Sequence, residues 1–250
     1  MHEELRKAVC DANIELQRRN LVIYSWGNVS GIDRSTGIVA IKPSGVSYND
    51  LTPDKIVLLD LNGKIVEGQG EALRLNKPAS GGLNPSSDTP THLELYRHFE
   101  AVGGICHSHS PSATMWAQAC REIPCFGTTH ADYFYGSIPV TEAMTKDQIQ
   151  SDYELNTGKV IVRRFADVDP MKMPAVLVAN HGPFTWGRTP AAAVEAMVVL
   201  EQIAMMALGT ITINPSQGPI SKTLMDKHYL RKHGKNAYYG QNTQKQEKTK

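Results

Sequence analysis

The stretch Gly103-Gly104-Ile105-Cys106-His107-Ser108-His109-Ser110 reads as a short buried strand that ends in two histidines. His107 and His109 lie two apart, and side chains at that spacing on a strand share a face, so both imidazoles can converge on one point. Cys106 then faces the other way. Neutral imidazole is the commonest ligand for zinc and its first-row neighbours. Taken alone, the pair reads equally well as metal ligands or as two ordinary polar residues. An alanine-rich helix follows, reaching about Cys120.

Working outward, a second apolar run, Ala175–Phe184, passes through Asn180-His181-Gly182-Pro183 and reads as another buried strand running into a turn. His181 thus also follows a strand, and strand ends are where sites in α/β layers gather. Upstream, Asp88 precedes Thr89-Pro90, a helix start with Thr89 as cap and Pro90 at the first helical position. Asp88 can serve as a cap or as a ligand. His107, His109, His181 and Asp88 make a donor set suited to zinc or a similar ion. Three short turns suit a phosphate: Gly27-Asn28, Lys42 with Ser44-Gly45, and Ser86-Ser87. The serine pair is the best of them, because it lies beside a helix start that favours anions. Each is also ordinary turn chemistry.

The remaining pattern mixes helices and strands without strict βαβ alternation. Leu5, Val9, Ala12 and Leu16 recur at helical spacing. Residues 21–26, 37–43 and 55–61 read as short strands, and Asn62-Gly63 marks a hairpin. Thr189-Pro190 opens a long apolar helix ending near Gly209. Residues 69–85 are dense in Gly and Pro and read as a surface insertion, and the polar stretch 242–250 reads as a disordered tail. The expectation is a single domain over residues 1–241, with a sheet covered by helices on both faces. A net charge of +1 excludes general attraction to nucleic acid or an anionic membrane, so any phosphate needs a local site. The N-terminal residues lack an apolar signal core, and Cys10, Cys106, Cys120 and Cys125 form no paired motif, which fits reduced thiols in the cytoplasm.

Seven motifs run in order through the chain: WGNVSGID, IKPSGV, PSSDTPTH, HSHS, GTTHADYFYG, NHGPFTWG, and KHYLRKHG followed by AYYGQ. Together they resemble the class II aldolase and adducin family, and within it the pentulose-phosphate 4-epimerase branch. The resemblance covers nearly everything from the first helix to Gln241. It implies a three-layer α/β/α fold around a largely antiparallel sheet. It also implies one zinc per subunit, with Mn2+ or Co2+ as alternatives, on Asp88, His107, His109 and His181. The phosphate positions fall on Gly27, Asn28, Lys42, Ser44, Gly45, Ser86 and Ser87. Asp132 and Tyr239 match an acid/base pair, and His228 an assisting residue. The implied substrate is a small phosphorylated ketopentose, and the implied assembly is a homotetramer with sites between subunits.

The implied reaction interconverts L-ribulose 5-phosphate and D-xylulose 5-phosphate by cleaving and remaking the carbon 3–carbon 4 bond. Carbon 4 is not adjacent to the carbonyl, so simple deprotonation cannot invert it. No GxGxxG turn for a nicotinamide is present to support a redox route. Two other readings belong to the same resemblance. One is a sugar-phosphate aldolase of the L-fuculose-phosphate type, in which a glutamate usually takes the place of Asp88. The other is an adducin-like interaction module without metal, which the retained histidines disfavour. The chain departs from the family pattern in the longer segment 69–85 and in the tail beyond Gln241.

Overall fold

The computed structural model describes residues 2–66 and 82–239. The segment 69–85 lies outside the described residues as far as position 81, and the stretch 242–250 lies outside them altogether. Six strands form one antiparallel sheet: β1 (Asn28–Asp33), β2 (Ile38–Ile41), β3 (Val57–Leu59), β4 (Gly104–His107), β5 (Ala175–Leu177) and β6 (Pro183–Gly187). Their spatial order is β3-β2-β1-β4-β6-β5.

Four long helices flank this sheet. On one face lie α1 (Glu3–Arg18) and a 24-residue helix, Pro190–Ile213. On the other lies α2 (Thr89–His98), whose His92 and Tyr96 both bond to Ser30 of β1. A helix at Tyr153–Arg164 stacks on α2, tied by Thr91 Oγ1 donating to the Glu154 carbonyl at 2.6 Å. The expected three layers, with helices on both faces, are therefore present. In chain order after α2, the helices are α3 (Pro111–Gln118), α4 (Thr128–Ala131), α5 (Lys146–Gln150), α6 (Tyr153–Arg164), α7 (Pro190–Ile213) and α8 (Lys222–His233).

A row of glycines sets how closely α7 approaches. Gly31 of β1 pairs with Gly104 of β4, which pairs in turn with Gly187 of β6. A Cβ on Gly104 would sit 2.4 Å from the Pro190 nitrogen, and one on Gly187 would sit 2.7 Å from the Ala192 Cβ. Helix α7 rests almost directly on the sheet backbone. It is apolar and long enough to cross a membrane, but residues such as Met197, Leu200 and Ala204 are buried in the apolar core.

Several readings from sequence need correction. Residues 21–26 are not a strand. Tyr24 adopts φ 54 and the Trp26 amide bonds back to the Ile23 carbonyl, making turns. The reason is that β1 already has β2 and β4 on its two sides, so no ladder is open there. Thr89 does not cap α2. It is the first helical residue, its hydroxyl donates to the Ser86 carbonyl at 2.6 Å, and Asp88 occupies the cap position without a side-chain cap bond. His109 lies beyond β4, which stops at His107. Helix α7 passes Gly209 and ends at Ile213, since one half-buried helical glycine costs about 1 kcal/mol and does not stop a helix. By contrast, Thr189 caps α7 as expected, accepting from the Ala192 amide.

Helix α7 also fixes the start of α3. The buried Glu201 carboxylate accepts the Ser112 and Ala113 amides at 2.8 and 2.9 Å, which are free donors in the first turn of α3. This contact sits just after the His107–Ser110 turn. Glu201→Ala is expected to lower unfolding free energy by about 2 kcal/mol, because it orphans one buried and one half-buried amide. Glu201→Gln, which keeps one acceptor, should lose less. Urea denaturation of the three proteins measures the order.

Candidate active site

Three histidines meet at the end of β4. His107 is the last residue of the strand, and its ring stacks on Phe184 of β6 at 4.1 Å between centroids. Its Nδ1 lies 2.9 Å from the Pro183 carbonyl. A carbonyl only accepts, so Nδ1 carries the hydrogen and Nε2 is left with its lone pair. The chain then turns, bringing the His109 Nε2 to 3.2 Å from the His107 Nε2. His181 enters from the β5–β6 turn, where Asn180 takes φ 62. The ligand atoms of His107, His109 and His181 all lie within 4.8 Å of one another. The His107–His109 convergence is a product of the turn after β4, and not of strand alternation.

The electrostatics favour neutral rings at His181 and His109. Burial, then the neighbouring His107 and His109 rings, push the pKa of His181 down to about 3. Burial and His107 likewise lower that of His109. His181 Nδ1 is buried without a hydrogen-bond partner. Asp88 adds the negative charge. Burial opposes its ionisation, but His107, His92, the Asn28 amide and His181 outweigh that and hold it below the ordinary carboxylate range. The Asn28 Nδ2 donates to Asp88 Oδ2 at 2.7 Å and to Ser86 Oγ at 3.0 Å. Converging imidazole lone pairs beside an oriented carboxylate fit a divalent transition-metal ion. Asp88 stands outside the tight three-histidine group but lines the same cavity.

That cavity is about 590 Å³ in volume. All of the sequence-predicted metal and phosphate positions line it: Gly27, Asn28, Lys42, Ser44, Gly45, Ser86, Ser87, Asp88, His107, His109 and His181. Gly27 is required at its place, with φ +110 and a would-be Cβ only 2.7 Å from the His107 carbonyl. Lys42 is buried, and burial lowers its pKa to about 8. The Ser86 amide bonds to the Lys42 carbonyl and the Ser44 amide to the Asn84 carbonyl, so the second and third turns form one wall.

Asp132, His228 and Tyr239 are placed elsewhere. None lines this cavity, and they are grouped with one another. Arg231 of α8 grips both Asp132 oxygens, with Nη2 at 3.0 and 2.9 Å, and His228 Nδ1 lies 3.1 Å from Oδ1. The Arg231 guanidinium also sits over the Tyr239 ring at 4.3 Å. Burial opposes ionisation of Asp132, and the Arg231, His228 and Lys232 contacts overcome it, so its pKa is lowered. Sequence reading missed Arg231 and Lys232, although their place in KHYLRKHG, one turn beyond His228, is the signal that finds them. It also missed Trp26, Tyr153 and Glu154, which line the cavity. Trp26 sits edge-on to His109 at 6.3 Å and Tyr153 tilts over His181 at 6.2 Å. Trp26 opens the WGNVSGID motif, but nothing in the local sequence marks Tyr153 or Glu154, because only the fold brings them to the histidines.

Comparison with known proteins places this arrangement. The chain is 49% identical over 239 residues to L-ribulose-5-phosphate 4-epimerase UlaF of Salmonella paratyphi C (strain RKS4594), covering 96% of this chain and 99% of that one. The protein of the same name from Salmonella typhi is equally similar, at 49% over the same span. Among solved structures, an L-fuculose 1-phosphate aldolase superposes with a TM-score of 0.72 at 22% identity, covering 90% of this chain and 94% of that one. The L-fuculose-1-phosphate aldolase from Thermus thermophilus gives a TM-score of 0.62 at 21% identity, covering 87% of this chain and 98% of that one. At those identities the two structures speak for the fold alone. Residues 7–208 match the model of the class II aldolase and adducin N-terminal domain. With that match and the near-full-length relatives, the chain belongs to the class II aldolase and adducin family.

Proposed function

We propose that this chain is a metal-dependent epimerase that interconverts L-ribulose 5-phosphate and D-xylulose 5-phosphate by retro-aldol cleavage and re-addition at the carbon 3–carbon 4 bond. The observation that carries the reading is the single cavity that joins the histidine cluster to the lysine-, glycine- and serine-bearing turns. The relatives' shared name supplies the substrate. An aspartate at position 88, where the related aldolases usually carry glutamate, supports the epimerase over an aldolase that releases its fragments.

His107, His109, His181 and Asp88 would hold the ion, zinc by preference for this donor set, with Mn2+ or Co2+ as alternatives. When bound, it supplies a Lewis acid for the negative charge that develops on the substrate oxygens as the bond breaks. The protein's own groups do the rest. Lys42, Ser44, Gly45, Ser86 and Ser87 grip the phosphate, with Gly27 and Asn28 closing the wall, and keep the cleaved aldehyde from leaving while it turns over. Asn28 orients Asp88. Asp132 and Tyr239 are suited to move the proton at the carbon 4 oxygen, one on each face, with His228 assisting.

Because Asp132, His228 and Tyr239 are grouped away from this cavity, they are assigned to a neighbour's site as one unit. A homotetramer with sites between subunits meets that need. Exposed apolar side chains support burial against another copy: Ile23, Tyr24 and Trp26 near the cavity, and Met205, Met206 and Ile213 on α7. The four cysteines are unpaired, which suits a reducing cytoplasm. Neither nucleic acid nor membrane enters the reading.

The direct test is a coupled assay. Zinc-loaded protein should form D-xylulose 5-phosphate from L-ribulose 5-phosphate, and no product would reject the proposal. His109→Asn should lose most of its zinc while keeping its circular dichroism spectrum, as elemental analysis can measure; full zinc occupancy would remove His109 from the ligand set.

The pH dependence follows from Lys42. With its pKa at about 8, the ammonium is present below that pH and lost above it. A phosphomonoester is already largely dianionic above about 6. KM should therefore be lowest between these limits and rise above pH 8, at most roughly tenfold per unit. Lys42→Arg, which keeps its charge, should flatten that rise.

Hybrids test the grouping of the acid/base residues. A His109→Asn chain mixed with a Tyr239→Phe chain should recover activity after subunit exchange. Asp132→Asn mixed with Tyr239→Phe should recover none, since the two residues come from one chain as a unit and every unit in the mixture carries one defect. Equal recovery from the two mixtures would separate Asp132 from Tyr239.

A further inference from the structure

Tyr48 is a buried aromatic residue that joins none of the apolar clusters among the described residues. It begins the short turn Tyr48–Asp50, just past the Lys42–Gly45 loop. Its hydroxyl donates to the Gly27 carbonyl at 2.8 Å. The face of its ring lies 4.9 Å from the Lys42 ammonium. One side chain thus touches both of the turns that bound the cavity on this side.

Lys42 needs such support. An ammonium has three hydrogens and strong hydration, and this one is almost completely buried. Two of its hydrogens go to carbonyls of its own loop, Val46 at 2.6 Å and Pro43 at 3.3 Å. One remains for a ligand. The Tyr48 ring offers its negative face to the same charge and replaces part of the lost hydration. The Gly27 carbonyl has a comparable need for a fixed partner. Gly27 has positive φ and no room for a side chain against His107.

We infer that Tyr48 is a positioning residue of the phosphate clamp, holding the Lys42 ammonium against its ring and pinning the Gly27 turn through its hydroxyl. This rests on the reading of the cavity as a phosphate site. It adds a residue that does not line the cavity and touches no substrate, yet decides how a dianion is received. The two functions of the side chain are separable. Tyr48→Phe keeps the ring under Lys42 and removes the bond to Gly27. Tyr48→Leu removes both.

The test measures two affinities on each zinc-loaded variant: inorganic phosphate by calorimetry, and zinc by competition with a chelator. A residue that merely fills the core would move both together. Tyr48→Phe should weaken phosphate about fivefold, and Tyr48→Leu about thirtyfold, with zinc affinity within twofold of wild type. In a Lys42→Met background the ring has no charge to hold, so Tyr48→Leu should add no more than Tyr48→Phe does there. Should Tyr48→Leu fail to fold, Tyr48→Phe decides alone. Phosphate affinity within twofold of wild type in the folded variants would overturn the assignment, as would equal losses of phosphate and zinc. Wild-type enzyme that takes up no phosphate would overturn the reading of the cavity itself, and this proposal with it; a wild type that binds while Lys42→Met does not would leave that reading intact and test Tyr48 alone.

Discussion

The approach of α7 to the sheet is the constraint on which the rest of the molecule depends. Gly31, Gly104 and Gly187 lie in register across β1, β4 and β6, and no side chain separates the helix start from the strands. Contact at this distance makes the helix position a property of backbone geometry rather than of adaptable packing. From α7, Glu201 reaches α3 and satisfies two of its free amides. Helix α3 follows directly from the His107–Ser110 turn. The row of glycines and the segment that carries His109 are thus joined through α7 and α3.

The opposite face of the same strands carries polar residues. Ser30 bonds to His92 Nδ1 at 2.7 Å and to the Tyr96 hydroxyl at 2.8 Å, all three fully or nearly fully buried. If Tyr96 donates to Ser30 and Ser30 to His92, every hydroxyl hydrogen is used and only His92 Nε2 is left over, which agrees with its lack of a partner. The reverse order would leave the phenol hydrogen unused as well. Burial lowers the pKa of His92 to about 3, so the string is neutral. It lies behind Phe184, on which His107 stacks. The histidine cluster is thus backed by neutral groups, and the ionised carboxylate next to it is Asp88.

Electrostatic roles are divided between two places. The cavity sets the Asp88 carboxylate and three imidazoles beside a single buried ammonium, that of Lys42. The Asp132 group is the reverse, with one carboxylate enclosed by Arg231, Lys232 and His228. Held so, Asp132 has its pKa lowered and favours the ionised form. The exposed Tyr239 ring lies against Arg231 and completes the group.

Much of the site was legible in the sequence because its residues come in local motifs. The serine pair with Asp88, the two histidines after an apolar run, and His181 in its turn each occupy a few consecutive positions, and all line one cavity. Helices α1 and α7 were legible from periodicity and from Thr189-Pro190. β1 was not, because its residues Asn28, Ser30, Gly31 and Asp33 serve helix contacts and the cavity and so lack an apolar alternation. The strand character assigned to 21–26 failed for the complementary reason: apolar composition cannot show that both sides of β1 are already taken. Position along the chain determined which chemistry is available here, since residue type alone sets what can bind a metal or an anion. Only the tertiary structure decided that Trp26, Tyr48 and Tyr153 join it and that Asp132 and Tyr239 stand apart from it. Those relations are distances between segments far apart in sequence, and no local pattern encodes them.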